Sequence, residues 1–402
     1  MVLFLDMNSY FAAVEQQDRP QLRGSPVGVI PNDCDTTCCI AASYEAKAHG
    51  VKTGTGVLDA KARCPSIKIV LSRPDLYIQY HHRIIEAVET VHPVHEVHSI
   101  DEMSIKLRGP DRDPGVYRRL AMEMKHAIRT RAGEWLRCSI GIAPNAMLAK
   151  TAGEMVKPDG MVVIEPHELP HRLYTLKVTD LPGINTGIER RLRSHGIYTM
   201  PQLCTASKSR LRAAWGSILG ETWHDWLHGH DPYIKPTRRK NIGHQHVLAP
   251  DLRPHESARA VAIRLLMKAA TRLRAEGYWC TKLTLYVKPM DEPSWSVYHN
   301  LEPCQDTVRL LQHLDALWAY RRVEFIMALG VTLGGLVRDG CVEQPLFPHE
   351  RKMTELAHTM DRINTKHGHA KVYFASMHHA RQAAPRRIPF SNIPDLALPD
   401  HS

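Results

Sequence analysis

The chain lacks a long uninterrupted apolar segment. Its longest apolar stretch, residues 325–337, contains glycines and is shorter than the roughly 20 residues that a helix needs to cross a bilayer. The opening apolar run, residues 2–5, meets Asp6 at once, so it has neither the charged start nor the apolar length of a secretory signal. We therefore expect a cytoplasmic protein with no membrane partner.

Paired cysteines are also missing. The nine cysteines are odd in number and scattered, which favours reduced thiols over a disulfide framework. The three cysteines between residues 34 and 39 lack the paired spacing of a zinc site, and no matching pair follows them. Histidines at every third position across residues 92–98 could converge on a metal if they lay on a helix, but Pro93 favours an extended strand. Neither group predicts a metal site.

Acidic residues are fewer than basic ones. The 402 residues include 52 Lys and Arg against 42 Asp and Glu, which gives a net charge of +10 and a pI near 9.1. Such a balance favours a polyanionic partner, although charge alone does not choose between nucleic acid and a membrane surface. The length predicts two to four domains.

Three acids are the most informative residues. Asp6 ends the first apolar run, and Asp101 and Glu102 are adjacent in a later one. Crowded carboxylates raise one another's pKa unless a cation compensates them. Oxygen ligands without a neighbouring Cys or His favour Mg²⁺, so these acids predict a two-metal nucleotidyl-transfer centre. The alternative is a solvated acidic pair at a strand end, because charged residues are usually exposed.

Five segments, in this order, carry a family resemblance: Leu5-Asp6-Met7-Asn8-Ser9-Tyr10-Phe11, Ser43-Tyr44-Glu45-Ala46-Lys47, Ser99-Ile100-Asp101-Glu102, Ser139-Ile140-Gly141-Ile142-Ala143 and Val156-Lys157-Pro158-Asp159-Gly160. Together they resemble the Y-family translesion DNA polymerases, the group that contains DNA polymerases IV and V. The resemblance covers roughly residues 1–340. It implies a template-directed polymerase of low fidelity that uses deoxynucleoside triphosphates and primer-template DNA.

The apolar periodicities predict an α+β protein with two ferredoxin-like β-α-β-β-α-β motifs. The first has a strand at 2–6, a helix at 75–91, strands at 94–99 and 102–107, a helix at 117–131 and a strand at 136–142. The second has a strand at 242–248, a helix at 255–276, strands at 279–287 and 295–301, a helix at 305–319 and a strand at 325–334. With the resemblance, this predicts a palm (1–10 and 75–165), inserted fingers (11–74), a helix-hairpin-helix thumb (166–232), a basic linker (233–240), a little finger (241–339) and a helix with a partly disordered tail (340–402).

The resemblance assigns roles around the acids. Asp6 and Asp101 would bridge two Mg²⁺ ions, Glu102 would complete one site, and the Met7 carbonyl would reach the other ion. Tyr10 and Phe11 would lie beside the nucleotide, with Phe11 excluding a ribose 2′-hydroxyl. From the sequence alone, Phe11 could equally be a core residue at a helix start.

The resemblance also places Tyr44, Lys47 and Lys157 at the triphosphate. Tyr44 and Lys47 are three residues apart, which puts them on one face of a helical turn. The polymerase IV branch generally has Arg at the position of Lys47, so the bidentate grip of a guanidinium is lost and this residue is closer to the polymerase V branch. The choice between the two branches stays open.

Three segments are candidates for contact with DNA or a protein partner. The turn with Gly183, Asn185 and Gly187 resembles a helix-hairpin-helix phosphate site, in which Asn185 would replace a glycine and adopt a left-handed conformation. An ordinary helix connection is the alternative. The run Arg238-Arg239-Lys240 reads as a basic linker that contacts phosphates.

The third segment, Glu343-Gln344-Pro345-Leu346-Phe347, is one residue shorter than a sliding-clamp peptide of this family. Gln344, Leu346 and Phe347 would bind the clamp, or the two apolar residues would pack on their own domain. We expect a monomer. Two rival functions are a clamp-binding adaptor without catalysis, which the three retained acids disfavour, and a nucleotidyl cyclase, which would not need DNA-gripping domains.

Overall fold

The computed structural model describes residues 1–234, 238–342, 348–368 and 370–385, together with residues 388 and 393. The chain divides into two compact units, residues 1–235 and 236–402. Within the described ranges, no helix has both the length and the apolar composition that crossing a bilayer requires.

The first unit contains eight strands and ten α-helices within its described residues. In chain order they are β1 (Val2–Met7), α1 (Tyr10–Asp18), β2 (Val27–Ile30), β3 (Ala41–Ala42), α2 (Tyr44–Ala48), α3 (Val57–Arg63), β4 (Lys68–Leu71), α4 (Pro74–Glu89), β5 (Glu96–Val97), β6 (Glu102–Lys106), α5 (Pro114–Ala127), β7 (Cys138–Ala143), α6 (Ala146–Met155), β8 (Met161–Val163), α7 (Thr186–Ser194), α8 (Met200–Thr205), α9 (Lys208–Trp215) and α10 (Leu219–Leu227).

The main sheet of this unit has the order β5-β6-β1-β7-β8. The insertion and α4 lie between β1 and β5, which have β6 between them in the sheet, and α5 connects β6 to β7 across β1. This is the predicted split β-α-β arrangement. Strand β1 is central and buried along its whole length, because it carries apolar side chains toward both faces. Its register places Asp6 opposite Glu102 of β6 and Ser139 of β7. Two of the three predicted acids therefore lie side by side.

The predicted insertion forms its own small sheet, in the order β3-β2-β4. Strand β3 is short and covers only Ala41–Ala42. Ser43 caps α2 by accepting a hydrogen bond from the N–H of Ala46, and the helix stops before Gly50, whose φ is +78°.

Helix α6 crosses β7 so closely that only glycine fits at the crossing. A Cβ atom at Gly141 would lie 1.9 Å from the carbonyl oxygen of Ala149. The start of α6 is fixed by Asn145, whose Oδ1 accepts from the N–H of Leu148 at 2.9 Å. The Asn145 amide also donates to the carbonyls of Trp226 and His230, so one side chain ties β7 to the end of α10.

The short helices α7–α10 pack in an apolar core that they share with β1, β7 and α6. The turn before α7 has Gly183 at φ +98°, a conformation in which most side chains are strained. The expected left-handed conformation at Asn185 is wrong: Asn185 is extended, with φ −88° and ψ 176°. Its side chain instead accepts from the N–H of Ile188 at 2.9 Å, because an asparagine at this position can satisfy an otherwise unpaired helix N–H.

The second unit contains, among its described residues, β9 (Asn241–Val247), α11 (His255–Ala275), β10 (Tyr278–Pro289), β11 (Trp295–Cys304), α12 (Thr307–Trp318), β12 (Ile326–Gly334), β13 (Val337–Arg338) and α13 (Pro348–His367). The predicted element order is present, and each crossover helix again skips one strand. The strand order, β11-β10-β12-β9, differs from that of the first sheet because the first strand, β9, lies at the edge.

One face of this sheet is buried by α11 and α12, while the other is open. Leu283, Leu285 and Val287 of β10 point into the core, and Lys282 and Tyr286, at alternate positions, are half-buried on the opposite face. This alternation is typical of a strand with one covered and one open face.

The tail packs on this unit in part. Asp361 of α13 receives hydrogen bonds from Arg274 at 2.6 and 2.9 Å. A 3₁₀ helix at Ala375–Ala380 buries Met377 against the core. The clamp-like segment with Gln344, Leu346 and Phe347 lies outside the described residues.

Candidate active site

Asp6 lies at the end of β1 and is 9% exposed. Its Oδ1 is 3.0 Å from the Lys157 ammonium, which also contacts Glu154 at 2.6 Å. Burial raises the pKa of Asp6 to about 7 although Lys157 opposes the rise, and the carboxylates of Glu154 and Asp101 add to it. The protein therefore holds this carboxylate in a position where its charge is poorly compensated.

Asp101 directly precedes β6 and is joined to β1 through the backbone, since its carbonyl accepts from the N–H of Met7 at 2.9 Å. Burial raises the pKa of Asp101 above its ordinary value despite a 2.5 Å hydrogen bond from the Ser99 hydroxyl, and the charge of Glu102 adds to the rise. Glu102 itself accepts from the Lys150 ammonium at 2.5 Å. Lys150 also lies 5.6 Å from the centre of the Phe4 ring.

The donor chemistry of this cluster fits Mg²⁺. Carboxylate oxygens are the ligands that this ion prefers, and the raised pKa values of Asp6 and Asp101 indicate the charge compensation that a cation would supply. Across the described part of the chain, however, no three Asp, Glu, His or Cys side chains are close enough together to hold a metal. Two of these carboxylates are paired with lysines, Asp6 with Lys157 and Glu102 with Lys150.

The three residues assigned to the triphosphate surround the Asp6 side of this cluster. The Lys47 ammonium lies 4.4 Å from the centre of the Tyr44 ring, so the predicted sharing of one helical face is confirmed. Burial lowers the pKa of Lys47, and repulsion from Lys157 lowers it further. Burial also raises the pKa of the Tyr44 hydroxyl. Two partly buried cations and a phenol therefore face the acids, which suits a ligand of high negative charge.

The turn that carries Lys157 is held by Asp159, which adopts a left-handed φ of 57°. Its carboxylate accepts from Lys125 at 3.0 Å, from Arg129, and from Arg137 at 3.3 Å. Its N–H donates to Oδ1 of Asn8 at 2.7 Å. The segment after β1 and the Lys157 turn are thus fastened to each other.

The two aromatic residues at the start of α1 differ in burial. Tyr10 is buried and donates from its hydroxyl to the Tyr77 carbonyl at 2.6 Å. Phe11 is half-buried and stacks on the Tyr77 ring, with the ring centres 4.4 Å apart. Phe11 therefore keeps one face accessible, whereas Tyr10 has a structural position.

The other predicted site residues lie elsewhere. Gly183 and Gly187 flank the start of α7, and Arg238, Arg239 and Lys240 are exposed before β9. Arg239 pairs with Glu276, whereas neither Arg238 nor Lys240 has an ion pair within the described ranges.

Several residues of the site carry no local signal in the sequence. Lys150 is 48 residues from Glu102, and its neighbours read as an ordinary amphipathic helix. His81 holds the carbonyl of Ile100 through Nδ1 at 2.7 Å, but its sequence context shows only a buried helical face. Asn8 and Asp159 lie within the segments that carry the family resemblance. That position was the signal in the sequence that could have identified them as residues of the site.

Two family models match the chain. The impB/mucB/samB family model covers residues 5–154, and the C-terminal domain model of the same family covers residues 239–346. DNA polymerase IV of Moorella thermoacetica is 32% identical over 387 residues, which cover 93% of this chain and 95% of the relative.

Solved structures give the same fold. A Y-family DNA polymerase chimera, Dbh-Dpo4(243-245)-Dbh, matches with a TM-score of 0.70 and 24% identity, over 84% of this chain and 99% of the chimera. An insertion ternary complex of Dbh DNA polymerase matches with a TM-score of 0.55 and 24% identity over the same shares of the two chains. The chain belongs to the Y family of translesion DNA polymerases. It is a DNA-directed DNA polymerase, and the relative quoted above is a DNA polymerase IV.

We predict that Asp159→Asn destabilises the first unit by about 2 kcal/mol at pH 7, because hydrogen bonds to charged groups are worth roughly 1.5–3 kcal/mol. Partial burial raises the pKa of Asp159, but Lys125, Arg129 and Arg137 lower it more, so the net pKa is lowered. Its contribution is therefore complete above the unfolded value of about 3.9 and is lost as the pH falls through the folded pKa.

Urea unfolding of both proteins from pH 7 to pH 3 measures this difference. The gap between native and variant should shrink below about pH 4. Asp35→Asn is the matched control, because its pair with Lys61 is more than half exposed on the carboxylate side and should contribute less than about 1 kcal/mol. Equal losses from the two substitutions, or a gap as large at pH 3 as at pH 7, would contradict the prediction.

Proposed function

We propose that this polymerase adds deoxynucleotides to a primer 3′ end by two-metal phosphoryl transfer during translesion synthesis. The observation that carries this proposal is the convergence of the buried Asp6 and the half-buried Asp101 and Glu102 with partly buried cations, where β1 ends and β6 begins. Asp6, Asp101, Glu102 and the Met7 carbonyl would hold two Mg²⁺ ions. When bound, these ions supply the charge stabilisation that the attacking and leaving oxygens need.

The protein side chains would bind and orient the nucleotide. Lys47 and Lys157 would neutralise triphosphate oxygens, and Tyr44 would donate a hydrogen bond to them. Lys47 acts as a point charge rather than a planar fork, so its grip is adaptable and less directional than that of Arg. Phe11, with one accessible face, would lie under the sugar and exclude a 2′-hydroxyl by contact.

Primer-template DNA would be bound by several surfaces. The helix start at Asn185, with Gly183 and Gly187, would face a phosphate, and the basic residues 238–240 would contact others. The open face of the second sheet carries Lys282, whose ammonium lies 3.7 Å from the Tyr298 ring centre.

We also propose that the palm, fingers, thumb, linker and little finger have the boundaries expected from the sequence. We propose a cytoplasmic site of action, because the substrate is DNA.

A sliding clamp is a further proposed partner, and a catalytically weak adaptor is the rival role. Gln344, Leu346 and Phe347 would tether the enzyme to a sliding clamp, which would raise its effective concentration at the primer end. The rival role, a catalytically weak adaptor, predicts clamp binding without nucleotide addition. Primer extension by the purified protein distinguishes them, since a polymerase requires both primer and template.

We predict that Asp101→Ala lowers single-turnover nucleotide addition at least about 100-fold, or roughly 2.7 kcal/mol, because it removes a ligand shared by both ions. Primer-template affinity should stay within about twofold, since Asp101 holds metal rather than DNA. Rapid-quench extension and a DNA-binding titration measure the two quantities.

Glu96→Ala is the control, because this acid lies on β5 of the same sheet with its side chain 64% exposed. It should leave both quantities unchanged. Extension by the Asp101→Ala protein above about a hundredth of the native rate would falsify the metal assignment.

We predict that Phe11→Ala admits ribonucleotides, because loss of the ring opens space for the 2′-hydroxyl. The ratio of kcat/KM for a deoxynucleotide to that for its ribonucleotide should fall by on the order of 10-fold or more, a change of about 1.4 kcal/mol or more. Steady-state insertion with both nucleotides gives the ratio. An unchanged ratio in a folded variant means that Phe11 only fills the core.

We predict that DNA affinity falls steeply with salt and that Arg238→Ala with Lys240→Ala flattens the log-log slope by about 0.9 for each phosphate that is no longer neutralised. Arg239→Ala should change the slope less, because Arg239 is already paired with Glu276. Binding titrations at several salt concentrations give the slopes. Arg259→Ala on the helical side of the sheet, paired with Asp315, is the control. A native slope in the double variant would place the DNA elsewhere.

A further inference from the structure

Tyr77 contacts both aromatic residues at the start of α1. This residue of α4 is 1% exposed. Its ring stacks on Phe11 with the ring centres 4.4 Å apart and the planes 14° from parallel. Its carbonyl accepts from the Tyr10 hydroxyl at 2.6 Å. One buried residue therefore supports the two side chains placed beside the sugar.

The Tyr77 ring is fixed at its far end. Its hydroxyl donates to Oε1 of Glu15 at 2.8 Å, and the Glu15 side chain is completely buried. Arg73 grips the same carboxylate with two hydrogen bonds, from Nε at 3.0 Å and from Nη2 at 2.6 Å. Such a bidentate pair fixes both distance and orientation. A change of χ1 that displaced the Tyr77 hydroxyl would leave a buried carboxylate short of a donor, which is unfavourable.

Phe11 needs such support because its own side chain does not define the ring plane. The χ2 torsion of phenylalanine is broad, so a half-buried ring can turn unless something packs on its face. Within the described residues, the ring contacts of Phe11 are with Tyr10, tilted at 49°, and with Tyr77, stacked. Of these two ring contacts, the one with Tyr77 is flat and constrains the plane of the Phe11 ring.

We propose that Tyr77 is a positioning residue for sugar selection: the flat face of its buried ring holds the Phe11 ring in the plane that excludes the 2′-hydroxyl. The inference rests on the proposed role of Phe11 in the polymerase reaction. Tyr77 touches neither nucleotide nor metal in this scheme and acts only through Phe11. Its loss therefore changes the discrimination between sugars more than it changes deoxynucleotide insertion.

The test compares the deoxy-to-ribo ratio of kcat/KM in Tyr77→Leu and Tyr77→Phe proteins. Tyr77→Leu removes the flat face and should lower the ratio by on the order of 5-fold, with deoxynucleotide kcat/KM within about threefold of native. Tyr77→Phe keeps the ring and should retain the native ratio within about twofold. Tyr80→Leu is the matched control, because Tyr80 is also a buried tyrosine of α4 and its ring contact is with Arg83.

A double-mutant cycle separates this role from a general structural one. In the Phe11→Ala background, Tyr77→Leu should leave the ratio unchanged, because the side chain through which it acts is gone. An equal effect in both backgrounds overturns the inference, as does an unchanged ratio for Tyr77→Leu alone, or a Tyr80→Leu protein that is equally permissive. A Tyr77→Phe protein as permissive as Tyr77→Leu also overturns it, because the hydroxyl rather than the ring would then be responsible.

The cycle also distinguishes failure of the inference from failure of the proposed function. If Phe11→Ala does not change the ratio, the assignment of Phe11 and the inference are both wrong, while template-directed synthesis stands. If the native protein does not extend a primer on a template, the proposed function itself is wrong. If thermal melting shows that Tyr77→Leu does not fold, Tyr77→Met replaces it, since a flexible thioether fills the volume without presenting a flat face.

Discussion

The burial of carboxylates at the end of a central strand is the constraint on which the site depends. An acid removed from water without a full counter-charge is unfavourable, and the raised pKa values of Asp6 and Asp101 express that penalty. The first unit tolerates this penalty because lysines of other elements pair with the acids. Lys157, in the turn after α6, pairs with Asp6, and Lys150, in α6 itself, pairs with Glu102. The backbone that presents these lysines is therefore as necessary to the site as the acids.

Helix α6 shows how close packing serves that purpose. Its approach to β7 at Gly141 leaves no space for a side chain, so the helix lies near enough for Lys150 to reach β6. The Asn145 cap then ties the start of the same helix to the end of α10. Charge compensation at the acids thus depends on a glycine and a helix cap that themselves carry no charge.

The sequence predicts the elements well where periodicity is strong. The strand at β1, the helix at α4 and the order of elements in both units follow from runs of apolar residues, because burial on one face imposes a period. Within the candidate site, the sharing of one helical face by Tyr44 and Lys47 follows from their spacing. Contacts between distant segments do not follow, since Lys150, His81 and Tyr77 are recognised only when the fold brings them to their partners. The expected left-handed conformation of Asn185 was wrong because asparagine is common both in left-handed turns and at helix N-caps. Only the backbone angles of the structure distinguish the two conformations.

The difference in strand order between the two sheets has a consequence for what each can do. In the first sheet the opening strand has a neighbour on both sides, so the end of β1 is flanked by residues of two other strands, Glu102 and Ser139. In the second sheet the opening strand, β9, is paired only with β12 among the described residues, and its end has no such enclosure. The same succession of elements therefore places the end of the first strand between two paired neighbours when that strand is interior, and gives it a paired neighbour on one side when it is peripheral.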